Sequence, residues 1–154
     1  MNPTAWNRFA TAAPGALLPP LQLTITLTML VMYAGATWDF HRLHYDAAFA
    51  RAVGMPAPVM DGQMVGALLA RQLMGWGGPD AFVRRLRYRQ TGIVAVGDRI
   101  VVAGIVAARR LAGGRPLVLC RQSVTRADGV AVVRGATAIL ELGSPTEPSS
   151  AMSD

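Results

Sequence analysis

Two hydrophobic periodicities divide the chain near Pro79. Ahead of it apolar residues recur every three or four positions; beyond it they alternate with polar ones, as along a half-buried strand. The helical part opens behind Thr26, whose hydroxyl can cap a helix, and Met29, Leu30, Tyr33 and Ala34 follow at helical intervals up to Gly35. Residues 46–51 give one or two further turns, which Gly54-Met55-Pro56-Ala57-Pro58 interrupts. The strongest helix is expected behind the N-cap Asp61, with Val65, Leu68, Leu69 and Leu73 on one face and Arg71 and Gln72 off it. It should stop at the glycines of 75–78.

Alternating runs at 82–90, 99–109, 117–126 and 130–142 predict four strands, separated by Val96-Gly97-Asp98, Ala112-Gly113-Gly114 and Ala127-Asp128-Gly129. Asp128-Gly129 between two such runs is a strong hairpin signal. Helices first and an antiparallel meander afterwards make an α+β fold, one long central helix wrapped by a curved antiparallel sheet. A single domain is expected over 21–143. Residues 1–20, broken by prolines, read as an N-terminal arm that packs late, and the Ser/Pro-rich stretch 144–154 reads as a disordered tail.

Composition narrows the classes. A chain of 154 residues suits one core, and 52% hydrophobic against 16% charged residues is far from a disordered composition. Cys120, the one cysteine, excludes an intrachain disulfide framework and a cysteine-based zinc site; within an alternating strand it reads as an inert core thiol in a reducing compartment. The net charge of +6 rests on 15 arginines with no lysine. They are scattered except at Arg84, Arg85, Arg87 and Arg89, which speaks against a nucleic-acid partner. The apolar run from Leu21 to Ala36, interrupted by Gln22 and three threonines, is too short and polar to span a bilayer, so no membrane partner is expected. The N-terminus has no charged-then-apolar order of a signal peptide, and a cytoplasmic location is the expectation.

Chemistry concentrates in one loop. Both histidines, His41 and His44, lie between Trp38 and Asp46. A neutral imidazole exchanges protons near neutral pH, and a carboxylate beside it can orient it or share a water with it. Asp39 and His44, five apart in a loop, can converge on one water; the same residues also read as an ordinary polar surface loop.

The pattern around them is wider than the pair. Thr26 to Tyr33, Asp39 and His44, Asp46, the Pro56-Ala57-Pro58 turn, Gly62 opening the central helix, and Val96-Gly97-Asp98 before a strand occur in sequence. In this order the chain resembles the MaoC-like (R)-specific enoyl-CoA hydratases and dehydratases of the hot-dog fold, whose signature is Asp, four residues, His. The likeness runs from Leu18 to Leu142. It implies a hydro-lyase in which Asp39 and His44 are catalytic, holding one water against the β-carbon of a trans-2-enoyl thioester and managing the α-proton. It also implies that the backbone N–H of Gly62, at the positive helix end, stabilises the thioester oxygen. The substrate implied is an acyl-CoA thioester, with coenzyme A as part of the substrate and no separate cofactor or metal.

Departures from the family pattern bear on substrate more than on fold. His41-Arg42 stands where the family usually has Asn-Pro, Asp61 where His commonly precedes the glycine, and Ala70 where some members carry a supporting serine. The run His41 to Asp46 is similar to a subgroup that includes fungal-type mitochondrial hydroxyacyl thioester dehydratases. Two rivals follow: a thioesterase in which Asp61 activates water, and a subunit of a heteromeric hydratase, for example one acting on steroid side-chain CoA esters, inactive without its partner. Alternation sets Arg85, Arg87 and Arg89 on one strand face, either as a solvated face or as contacts for the phosphates of CoA. Met55, Met60, Met64 and Met74 read as core or as the lining of an acyl tunnel. An unpaired strand edge predicts a homodimer or a heteromer with a second hot-dog subunit.

Overall fold

Caps and glycines set the helix limits in the computed structural model, which describes residues 3–143. The tail expected at 144–154 lies outside them. Thr26 accepts a hydrogen bond from the Met29 N–H and starts α2 (Leu27–Thr37). The helix passes Gly35 and ends two residues later than expected. Asp46 accepts from the N–H groups of Ala48 and Phe49 and starts the short α3 (Ala47–Ala52). Asp61 does the same for Gln63 at the head of α4 (Gly62–Gly77), which closes into Gly78 at φ 90°. Val65, Leu68, Leu69 and Leu73 are buried as expected, and so is Gln72, which the polar reading had set off the face. It falls four residues after Leu68 and three after Leu69, so helix geometry carries it inward with them.

The sheet has five strands in the order β1-β3-β4-β5-β2, where β1 is Leu17–Thr24, β2 Phe82–Arg87, β3 Arg99–Ala112, β4 Arg115–Arg126 and β5 Ala131–Glu141. Two expectations need correction here. The four-stranded meander holds only for β3, β4 and β5; β2 pairs antiparallel with β5 at the far edge. The short turns after β3 and β4 force neighbours to pair, with Gly113 and Gly114 both at positive φ. Residues 88–98 are long enough to carry the chain across instead.

The N-terminal arm is also more than an arm. Residues 3–11 form α1 (Pro3–Thr11), and β1 begins before residue 21, pairing with β3 from Leu17↔Ile105 to Thr24↔Arg99. Pro19-Pro20 hid this strand: proline cannot donate to a ladder, and the register shift between Leu18 and Leu21 at the sheet edge absorbs both. Phe9 and Ala12 pack with Leu18, Leu73, Val106, Val118 and Leu140 around the end of α4, while Ile25, Leu30, Met64, Val65, Leu69, Val102 and Val124 form the core around its beginning.

Candidate active site

Chain direction after α2 is what aims Asp39. Trp38, the only non-glycine residue at positive φ (57°) among the described residues, turns the backbone at the helix end. A non-glycine side chain in the left-handed region costs about 1–2 kcal/mol. One oxygen of the Asp39 carboxylate accepts from the His41 N–H at 3.2 Å, leaving the other toward His44.

His44 ends a 3-10 turn (Arg42–His44) capped by the exposed His41, whose Nδ1 accepts from the Leu43 N–H. Its own ring is oriented from a distant segment. His44 Nδ1 lies 2.8 Å from the carbonyl oxygen of Val59. A carbonyl only accepts, so Nδ1 carries a hydrogen, and in the neutral ring the lone pair is therefore on Nε2. Val59 is pinned in turn: its N–H donates to Leu43, it bridges Ala95, and Met60 N–H donates to Val94. Val59, which follows the Pro56-Ala57-Pro58 turn, thus fixes the neutral tautomer of a histidine fifteen positions upstream.

The free Nε2 of His44 stands 4.0 Å from Asp39 Oδ2, with the His44 side chain largely buried and that of Asp39 partly open. This is too long for a direct hydrogen bond and fits one water between them, since two bonds of about 2.8 Å meeting near a right angle span about 4.0 Å. Asp61 closes the group. Its Oδ1 accepts from Gln63 N–H at 2.8 Å, and its Oδ2 is buried without a partner. One donor atom from each of Asp39, His44 and Asp61 lies within 4.8 Å of the others. They line a narrow cleft with Leu30, Tyr33, Ala34 and Met64.

Gly62, the first residue of α4, has no intrahelical acceptor for its N–H. Tyr88 Oη donates to its carbonyl at 2.9 Å, and this close approach requires Gly66, where a Cβ would stand 2.4 Å from that hydroxyl. Burial, the Asp61 carboxylate and Tyr88 together raise the Tyr33 phenol above its ordinary value, so it stays protonated as a donor beside the cleft. Helical spacing marked Tyr33 only as core, whereas Asp61 was read both as a cap and, in the thioesterase rival, as a base that activates water.

Residues 9–125 match the MaoC like domain. The chain belongs to this family. No curated protein matches it. Among solved structures this MaoC-like chain is similar to one in the ChsH1-ChsH2 complex from Mycobacterium tuberculosis, at 27% identity and TM-score 0.76, covering 86% of this chain and 99% of that one. It is similar to the (R)-hydratase from A. caviae involved in PHA biosynthesis at 21% identity and TM-score 0.76, covering 86% and 98%. It also resembles the C-terminally truncated HadBC (3R-hydroxyacyl-ACP dehydratase) complex from Mycobacterium tuberculosis, at 18% identity and TM-score 0.70, covering 83% and 96%. The fold is the hot-dog arrangement expected from the sequence.

Elsewhere in the MaoC-like domain, Arg85, Arg87 and Arg89 are exposed along and just beyond the edge strand β2, while Leu86 and Tyr88 turn inward. They are not part of the Asp39–His44–Asp61 cleft. Their neighbour Arg84 is engaged by Glu141 at 2.5 Å. Met60 and Met64 are buried core, Met64 also lining the cleft, whereas Met74 is exposed. Burial pushes the Cys120 thiol up to about 12. Asp39, His44 and Asp61 each offer one atom within 4.8 Å of the others, a grouping that could also hold a metal ion. No helix of the described residues is long and apolar enough to cross a membrane.

Proposed function

We propose that this chain adds or removes water across the 2,3 double bond of an acyl thioester, with Asp39 and His44 as the catalytic pair. The observation that carries this reading is the 4.0 Å gap between Asp39 Oδ2 and His44 Nε2, the nitrogen that holds the lone pair of the neutral ring because Nδ1 is bonded to the Val59 carbonyl. Both facing atoms are acceptors, so a water between them donates one hydrogen to each and turns its lone pairs outward, toward C-3 of a bound enoyl group. As the O–C3 bond forms, His44 Nε2 takes the proton, and the Asp39 carboxylate stabilises the imidazolium. The π electrons move toward C-2 and the thioester oxygen, where Gly62 N–H at the positive end of α4 offsets the charge. C-2 then takes up a proton.

Coenzyme A is the carrier we favour, with Arg85, Arg87 and Arg89 meeting its phosphates; guanidinium forks match phosphate oxygens, and these three have no acidic partner among the described residues. A second copy or a second hot-dog subunit covers the open edge of β2 in this reading; the similar solved structures include two complexes, ChsH1-ChsH2 and HadBC. Light scattering tests that point: a lone 16.3 kDa particle at every micromolar concentration counts against a homodimer. The unpartnered oxygen of Asp61 favours one rival, hydrolysis of the thioester with Asp61 as base.

A panel of trans-2-enoyl-CoA esters separates the readings when enoyl absorbance and free thiol are followed together. Loss of the enoyl band without thiol is the expected result. Thiol release without hydration would replace it by the thioesterase, and inactivity on every ester until a second subunit is added would make this chain one half of a heteromer.

A further inference from the structure

From Phe9 to Trp38 the sequence carries no charged residue, although the chain holds 15 arginines and a net charge of +6. Much of that stretch is surface. In α2 only Leu30 and Ala34 are buried, while Leu27, Val31 and Met32 are exposed, Met32 at 69% and the adjoining Trp38 at 84%. A helix that is apolar all round is ordinarily covered. We propose that the outer face of α2 is the contact surface for a second copy of this chain, two α2 helices packing antiparallel across a two-fold axis near Val31. This contact is separate from pairing at the open edge of β2 and does not depend on the hydro-lyase reading.

Charge selects the occupant. Two copies at +6 each repel wherever their arginines approach, and an uncharged face is where that repulsion is least. An acidic partner protein would be drawn to the arginines instead. A bilayer surface is bound by apolar side chains with basic ones among them, and α2 has no basic residue.

Shape selects the pairing. Gly35 lies within α2, its backbone is not left-handed, and a Cβ there would meet nothing within 4 Å. Neither conformation nor packing inside the chain calls for glycine at this position, where it weakens the helix. In an isologous contact each pair occurs twice. With the axis at Val31, the residue four before it meets the residue four after it, so Leu27 fills the notch over the partner's Gly35 and the partner's Leu27 fills the other. The row Leu27-Val31-Gly35 has the i±4 spacing of a ridge that packs into the groove of a facing helix. Trp38 stands one turn beyond the notch, and tryptophan is the kind of residue that anchors protein contacts. An 11-residue helix pair is a small interface, so association is expected at micromolar rather than nanomolar concentrations.

Sedimentation velocity on the full chain from about 1 to about 100 µM covers the range in which so small a contact forms. The wild type should associate, and Val31→Arg should halve the particle mass at the same concentration, because the two introduced charges meet at the axis. Val31 is exposed, so the circular dichroism of the variant should match the wild type's; Met32→Arg serves if Val31→Arg does not fold. Leu111→Arg, at another exposed apolar residue near the end of β3, should leave the mass unchanged. Gly35→Leu should also separate the copies, although leucine is the better helix former. Combining it with Leu27→Ala should bring them together again, since the added side chain takes the space that the alanine vacates. A wild type of 16.3 kDa throughout, an unchanged mass in a folded Val31→Arg or Met32→Arg variant, or an equal loss in Leu111→Arg overturns the proposal. A double variant that stays apart overturns the pairing of Leu27 with Gly35.

Discussion

The two ends of α4 treat buried polar groups in opposite ways. Near the C-terminal end Gln72 and Gln122 form an almost closed set. Gln72 Nε2 donates to the carbonyls of Pro19 and Val102, and Gln122 Nε2 donates to the Leu69 carbonyl and to Gln72 Oε1, leaving only Gln122 Oε1 unused. At the N-terminal end His44 Nε2 and Asp39 Oδ2 stand 4.0 Å apart without a direct bond, and Asp61, clustered with them, keeps a buried Oδ2 without a partner. Each satisfied amide bond contributes about 1 kcal/mol, and each open buried valence costs about 1–3 kcal/mol. The closed set holds β1, with its Pro19-Pro20 irregularity, to the helix and to β3. The open set is affordable only where substrate and water complete it. One helix thus separates structure from chemistry by whether its polar neighbours are paired within the fold.

This contrast can be broken by substitution at either end. At the open end, Asp39→Asn and His44→Ala should each lower kcat by about 10²–10⁴-fold with little change in melting temperature, and the double variant should be little worse than either, because one water serves both. His41→Ala is the control: this exposed ring caps the Leu43 N–H and should affect turnover far less. Steady-state kinetics that reverse the ranking of His41 and His44 would remove His44 from the mechanism. At the closed end, Gln72→Leu removes the donor to the Pro19 and Val102 carbonyls and one of the two acceptors of the Gln122 amide, and urea titration should register a loss of about 3 kcal/mol. The folded fraction should keep its KM; a variant that stays stable but loses activity would erase the distinction.

Away from both ends, Arg87→Ala should raise KM for a CoA ester about 3- to 10-fold, while a truncated thioester lacking the nucleotide should be untouched, since only anchoring of the phosphates is lost. Equal effects on the two substrates would mean that Arg87 acts through folding. The smallest effect concerns Cys120, buried between these regions of chemistry and surface. Its thiol ordinarily titrates near 9.0 and is pushed up to about 12 in the fold. Between those values the unfolded chain has lost a proton that the folded chain keeps, so stability falls as pH rises. Urea midpoints at pH 8 and pH 10 should converge slightly in Cys120→Ala compared with wild type, and an identical pH slope in both would show that the thiol plays no part.

What the chain determined locally could be read locally. Thr26, Asp46 and Asp61 cap helices because capping involves backbone groups two or three residues away. Gly113 and Gly114 turn a hairpin because only their own dihedral angles are at issue. The loop from Asp39 to His44 was legible through its spacing and through the resemblance it carries. The rest depends on partners remote in sequence. Strand β1 exists despite two prolines because β3 and Gln72 satisfy its backbone. Strand β2 lies on β5 because a long connection lets it reach that edge. The tautomer of His44 is set by Val59, and Asp61 becomes more than a cap only where the loop after α2 folds over it. Local dihedral and hydrogen-bond preferences are written in adjacent residues. Which buried valences stay open is decided only after packing has brought distant segments together.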